Sequence, residues 1–252
     1  MKILIKLSYL GTDFCGYQVQ NGKRSIQGEL TRAARELFSY DCDITGCSRT
    51  DSGVHANMFC ATVSKRGESG LETSLSPDRI VRALNAHLPD DICVFDAEWV
   101  DDDFHPRYDV KYKEYVYRMY NGHARAPFES GRCLILKKKF TLEQIEKMNE
   151  AASHFVGKKD FSSFMAQGSQ VATTVRDVKY ATVTSCDDVI EFKVAADGFL
   201  YNMVRIMTGT LVAVAEGKIK VNEIDEIIAS CDRARAGQTA PAEGLYLNKV
   251  VY

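Results

Sequence analysis

The spacing of apolar residues in this chain changes from every second residue to every third or fourth and back again, and that alternation limits the fold more than any other feature. Residues 2–9 place Ile3, Ile5, Leu7 and Tyr9 on one side and Lys2, Leu4, Lys6 and Ser8 on the other, which predicts a strand with one core face. Residues 10–24, rich in Gly, Asn and Gln, read as loop. Ser25 then caps a helix with the stripe Ile26, Leu30, Ala33, Ala34 and Leu37. A strand is expected at 57–64, a loop at 65–77, a helix over 78–88 begun by Asp78 and stopped by Pro89, and a strand from Ile92 to Trp99. Asp101-Asp102-Asp103 and Pro106 punctuate the chain, and Pro106 disfavours a helical His105.

The pattern then resumes. Residues 111–120 predict a strand with Tyr115, Tyr117 and Met119 on one face and Val116 and Tyr120 on the other. Thr141 and Gln144 form a capping-box pattern opening a helix over 141–155, with the stripe Leu142, Ile145, Met148, Ala152 and Phe155. Strands follow at 177–185 and 188–195, a turn signal at Asp197-Gly198, helices at 200–215 and 222–230, and a last strand at 245–252. The order predicts an α+β chain of two similar halves, 1–104 and 105–252, each an antiparallel sheet with helices on one side.

Between the first helix and its next strand lies Gly46-Cys47-Ser48-Arg49-Thr50-Asp51-Ser52-Gly53-Val54-His55-Ala56, which brings an acid, a base and an imidazole together between glycines. On extended backbone Arg49 and Asp51 leave the same face, where the guanidinium would hold the carboxylate ionised. Gly53 permits a sharp bend just after the acid. The residues alone allow two readings: a held carboxylate beside a tight turn, or a structural Arg–Asp pair tying a hairpin.

Composition narrows the class. With 45% hydrophobic and 26% charged residues the chain reads as soluble and globular, and no apolar run approaches the ~20 residues of a membrane span. The polar alternation of the first residues is unlike a signal-peptide core, so a cytoplasmic protein is expected. The eight cysteines, at 15, 42, 47, 60, 93, 133, 186 and 231, show no Cys-x-x-Cys, and no metal site is expected; scattered cysteines read as small buried hydrophobes. A net charge of −2 argues against a protein that coats nucleic acid, yet permits a basic cleft; Lys23-Arg24 and Lys137-Lys138-Lys139 are the basic clusters.

A set of motifs, in order, carries a resemblance. They are Tyr9-Leu10-Gly11-Thr12-Asp13-Phe14-Cys15-Gly16-Tyr17-Gln18, Ser25-Ile26-Gln27, Ser48-Arg49-Thr50-Asp51-Ser52-Gly53-Val54-His55, Asn85-Ala86-His87-Leu88-Pro89-Asp90-Asp91-Ile92, Phe104-His105-Pro106-Arg107-Tyr108, Lys113-Glu114-Tyr115-Val116-Tyr117, Phe161-Ser162-Ser163-Phe164, Phe199-Leu200-Tyr201-Asn202-Met203-Val204-Arg205 with Gly209, and Ala242-Glu243-Gly244-Leu245-Tyr246-Leu247. In these motifs, over about residues 3–250, the chain resembles the TruA family of tRNA pseudouridine synthases. Ser48 replaces a frequent Gly and Tyr17 a frequent Trp; neither change removes a group the chemistry needs.

The resemblance implies two ferredoxin- or RRM-like halves whose sheets join, with the active-site cleft between them. It implies isomerisation of uridine to pseudouridine in the anticodon stem-loop of tRNA, no cofactor, and a homodimer. Asp51 becomes the catalytic carboxylate, attacking carbon or abstracting a proton. Tyr115 becomes the ring that stacks on the extruded base, with a hydroxyl suited to proton transfer. Arg49 either lowers the pKa of Asp51, ties the loop or binds phosphate. Arg205, a charge on an apolar helix, is either paired internally or faces the active site. Lys23, Arg24, Arg107 and Arg176 are candidate contacts to the tRNA backbone, and His55 and His105 are expected to order loops. Two rival classes remain: an RNA-binding module without activity, which loss of Asp51 or Tyr115 would have suggested, and a Mg²⁺-dependent phosphatase using Asp51 near Asp41 and Asp43, which lack the expected motif.

Overall fold

The computed structural model describes residues 1–168 and 171–252. Its elements, in chain order, are β1 (Lys2–Tyr9), α1 (Ile26–Phe38), β2 (Cys42–Gly46), β3 (His55–Lys65), α2 (Pro77–His87), β4 (Ile92–Val100), β5 (Tyr112–Tyr120), β6 (Leu134–Ile135), α3 (Leu142–Ser153), β7 (Gly157–Asp160), β8 (Val175–Cys186), β9 (Val189–Ala196), α4 (Met203–Ala215), α5 (Glu223–Ser230) and β10 (Leu245–Val251). They form two compact units, Met1–Lys111 with Leu247–Tyr252, and Tyr112–Tyr246. The fold is mixed α and β; β1–β3, β1–β4, β2–β3, β5–β9, β7–β8 and β8–β9 pair antiparallel, and β6 runs parallel to β5.

In the first unit the strand order is β4-β1-β3-β10, and β2 also pairs with β3. Ile3, Ile5 and Leu7 are fully buried, as the alternation of β1 requires. Leu4, on the opposite face, is buried as well. Ser25 Oγ accepts from the Gly28 N–H at 3.2 Å, and α1 buries Ile26, Leu30, Ala33 and Ala34. Helix α2 begins at Pro77, not at Asp78, because proline suits the first helical position, where no donor is needed. Leu88, held extended before Pro89, ends it. The return of the chain to this unit is tied by the Lys111 N–H, which donates to Val251 O at 2.8 Å.

In the second unit the order is β5-β9-β8-β7, with Tyr115 opposite Val194 and Tyr117 opposite Phe192. The capping box of α3 forms: Thr141 Oγ1 accepts from the Gln144 N–H, and Gln144 Oε1 from the Thr141 N–H. Leu142, expected in the apolar stripe, is 73% exposed, while Ala151 is buried. The first turn of a helix lies at the edge of the face it presents, so the inward stripe starts at Ile145. Asp197-Gly198 follows β9; the β8–β9 connection turns instead at Asp187, whose φ is 51°. Helix α4 buries Met203, Ile206, Met207, Leu211 and Val214.

The sequence reading did not mark β2, β6 or β7. Among the cysteines, Cys42, Cys47, Cys60 and Cys133 are buried, but Cys93, Cys186 and Cys231 are exposed, which corrects a uniform expectation of burial. Among the described residues no helix is long and apolar enough to cross a membrane.

Candidate active site

The Asp51 loop runs from the end of β2 to the start of β3. Cys47 extends the β2–β3 pairing by donating its N–H to Cys60 O at 2.8 Å. The loop then closes a turn in which the Val54 N–H donates to Asp51 O at 3.1 Å, with Gly53 at φ 79°. Only the backbone carbonyl of Asp51 is used in that turn, and its side chain is half-buried.

The segment after β1 clasps this loop from the other side. The Gly11 N–H donates to His55 Nδ1 at 2.9 Å, so the ring of fully buried His55 accepts there. A Cβ on Gly11 would stand 2.0 Å from Val54 O, and one on Gly16 would stand 2.6 Å from Thr50 O. The Tyr17 N–H donates to Thr50 O at 3.1 Å, the Tyr9 and Thr50 hydroxyls are 2.8 Å apart, and Ser52 Oγ donates to Phe14 O at 3.0 Å. Thr50 is thereby buried and gripped through both its carbonyl and its hydroxyl. Asp51, next in the chain, inherits a fixed backbone. The motif around Gly11 and Gly16 and the motif around Asp51 are two sides of one clasp.

Tyr17 stacks on Phe59 with centroids 4.5 Å apart, and among the described residues its buried hydroxyl has no hydrogen-bond partner. Burial pushes the phenol well above its usual pKa. An unsatisfied buried hydroxyl costs about 1–3 kcal/mol. Tyr17→Phe is therefore expected to raise stability by about 1 kcal/mol in urea unfolding; a lower midpoint would show that the hydroxyl has a partner in solution.

The expected cations separate into distinct groups. Arg49 is exposed and Asp51 half-buried, on either side of buried Thr50 in the chain. Arg24 is committed elsewhere: its Nη1 and Nη2 donate to Asp91 at 2.8 and 3.0 Å, its Nε to Glu29 at 3.3 Å, and its guanidinium lies 4.1 Å from the Phe14 ring centroid. That occupation makes Arg24 a brace between α1 and the α2–β4 connection. Arg176 Nη1 donates to Thr173 O and Val175 O at 2.9 and 2.6 Å. Lys23 is exposed, and Arg107 is half-buried in a turn whose Tyr108 N–H donates to His105 O. His105 Nδ1 accepts from the Arg107 N–H at 3.1 Å, so both histidines order loops, as expected.

In the second unit Tyr115 is 7% exposed on β5 and meets Phe199 edge to face at 4.9 Å. On the other face of β5, Tyr180 donates its hydroxyl to buried Glu114. Arg205, half-buried on α4, donates from Nε to Ala240 O at 2.8 Å and from Nη1 to Asn202 Oδ1 at 2.7 Å. The Ala240 N–H returns a bond to Arg205 O at 3.0 Å. The 237–240 segment is pressed onto α4: a Cβ on Gly209 would stand 1.7 Å from Gln238 O, and the Gly237 N–H donates to Thr210 Oγ1 at 2.9 Å. Asn202 has φ 61°, a left-handed conformation that asparagine adopts more readily than other non-glycine residues.

Sequence reasoning did not single out Thr50, Asn202 or the contact roles of Gly11 and Gly16. Their signal was present only as glycines and small polar residues inside motifs, and the contacts they make are remote in sequence.

Comparison with known proteins completes the picture. A family model described as tRNA pseudouridine synthase matches residues 6–109 and 151–252. Proteins named tRNA pseudouridine synthase A are similar along their whole length: one from Acetivibrio thermocellus is 42% identical over 253 residues, covering 100% of this chain and 99% of the relative. One from Ruminiclostridium cellulolyticum is 40% identical with the same coverage, and one from Thermoanaerobacter sp. is 39% identical over 250 residues, 99% of each. Among solved structures, a chain of a Cbf5-Nop10-Gar1 complex covers 97% of this chain, which spans 57% of it, at 12% identity and a TM-score of 0.35, too weak a likeness to bear on fold or function. With a family match over both units and full-length identity near 40%, this chain belongs to the tRNA pseudouridine synthase family, an isomerase of the TruA type.

Proposed function

We propose that this chain isomerises uridine to pseudouridine in the anticodon stem-loop of tRNA, with Asp51 as the carboxylate at the reacting carbon. The observation that carries the reading is the clasp: Gly11, Gly16, Tyr9 and His55 fix the backbone on both sides of one half-buried carboxylate. Such fixation is what a group aimed at one atom needs. The reaction breaks N1–C1′, turns the uracil, forms C5–C1′ and releases the C5 proton. No electrons or phosphate change hands, so no cofactor is required.

Asp51 acts as nucleophile or as base. Tyr115 replaces the stacking lost when the base leaves the helix, worth roughly 1–3 kcal/mol. Arg205 acts at the same reaction. Exposed Arg49 and Lys23, with half-buried Arg107, meet backbone phosphates, which position the RNA without reading its sequence. Arg176 contributes more weakly, because one of its nitrogens is already held by backbone. The working form is a homodimer in the cytoplasm.

The test is tritium release from RNA labelled at C5 of uridine. Release is expected from tRNA and from an isolated anticodon stem-loop, and not from a hairpin of another tRNA arm. Binding without release from any arm would leave an RNA-binding module. In the same assay Tyr115→Phe keeps tRNA affinity and slows turnover; an unchanged rate would remove the hydroxyl from the mechanism.

A further inference from the structure

Asn202 stands at the N-cap of α4, where its side chain would ordinarily accept a hydrogen bond from the first turn. That service needs extended backbone. Asn202 is instead left-handed, with φ 61° and ψ 10°, and its side chain makes no cap bond. The oxygen turns to Arg205 Nη1, at 2.7 Å. Two locally favourable options, a cap and a relaxed backbone, are given up for one contact to a guanidinium. Strain kept in this way clusters at functional sites.

The second contact explains what the first achieves. Arg205 Nε donates to Ala240 O at 2.8 Å, and that carbonyl is itself immobile, because the 237–240 segment lies against α4 with Gly209 and Gly237 at the crossing. A guanidinium is planar, so acceptors on two of its nitrogens fix its plane and its direction together. We infer that Asn202 is a positioning residue, which sets the orientation of the Arg205 guanidinium for the isomerisation instead of capping its own helix. The inference rests on Arg205 acting in the reaction, as proposed above.

Single-turnover tritium release from C5-labelled tRNA separates the possibilities. Asn202→Gly keeps the left-handed backbone at lower strain and removes the acceptor. It is expected to lower the rate about tenfold while leaving tRNA affinity and the unfolding midpoint near wild type. Asn202→Asp restores an acceptor in a residue that tolerates the same backbone, and is expected to recover most of the rate. Because the effect runs through Arg205, Asn202→Gly is expected to change nothing further in an Arg205→Ala background, or in Arg205→Lys if the alanine variant does not fold. A wild-type rate in Asn202→Gly, beside a slow Arg205 variant, would overturn the positioning role alone. An equal loss in both backgrounds would overturn it too, because Asn202 would then act elsewhere. Arg205 variants at the wild-type rate would overturn the assignment of Arg205 and take this inference with it, while leaving the roles of Asp51 and Tyr115 standing.

Discussion

Asp51→Asn is expected to abolish tritium release, by at least about 10⁴-fold, the scale on which loss of an essential catalytic group reads out. Asparagine keeps the size of the side chain and removes both its charge and its nucleophilicity. The fold should tolerate the change: the turn at Asp51 is closed by its backbone carbonyl, and the clasp reaches Thr50 and His55 through hydrogen bonds from Tyr17, Tyr9 and Gly11. Affinity for tRNA is expected to stay within about threefold, since phosphate contacts dominate it. Measuring release and filter binding on the same preparation decides the point. More than a tenth of the wild-type rate would show that the carboxylate is not essential.

Gly11→Ala is expected to produce the next largest loss. The objection is steric: the new methyl would lie 2.0 Å from Val54 O, an atom of backbone that no rotamer change can move aside. Either the 10–16 segment lifts away, breaking the bond from Gly11 to His55, or the turn after Asp51 shifts. Overpacking of this kind costs about 1–3 kcal/mol, and a displacement of about 1 Å at the reacting group costs about 10²-fold in rate. Turnover should therefore fall far more than tRNA affinity. If both stability and rate stay at wild type, the clasp is not what holds Asp51.

How much of this was legible beforehand depends on how local the cause was. The alternation in β1, the Ser25 cap, the Thr141–Gln144 box and the α4 stripe are decided within a few residues, and all formed where the pattern placed them. Strand β2 escaped notice because Cys42–Gly46 holds an Asp and a Gly and few strand-favouring residues; its pairing with β3, Ile44 opposite Val63, makes it a strand. Arg24 was assigned by its charge, but its partner Asp91 stands 67 residues away, beyond the reach of any local pattern. The Asp51 loop was visible by its composition. What steadies it, Gly11 against Val54 and Gly16 against Thr50, became visible only once the backbone was in place.

The division of the first unit has a consequence for how the protein comes into being. Strand β3 borders β10, and all of β10 but its first two residues follows Tyr112–Tyr246 in the chain. A ribosome that has already released the Asp51 loop has therefore not yet made the strand that finishes its sheet. Until then one edge of β3 offers unpaired backbone to any passing strand. The intervening unit holds its own strands and helices, and it can condense first. By doing so it draws residues 111 and 247 toward each other and shortens the loop that the final pairing must close. Birth order and folding of the Asp51 loop are thereby linked: the loop is among the first parts made, and the sheet it stands on is among the last completed.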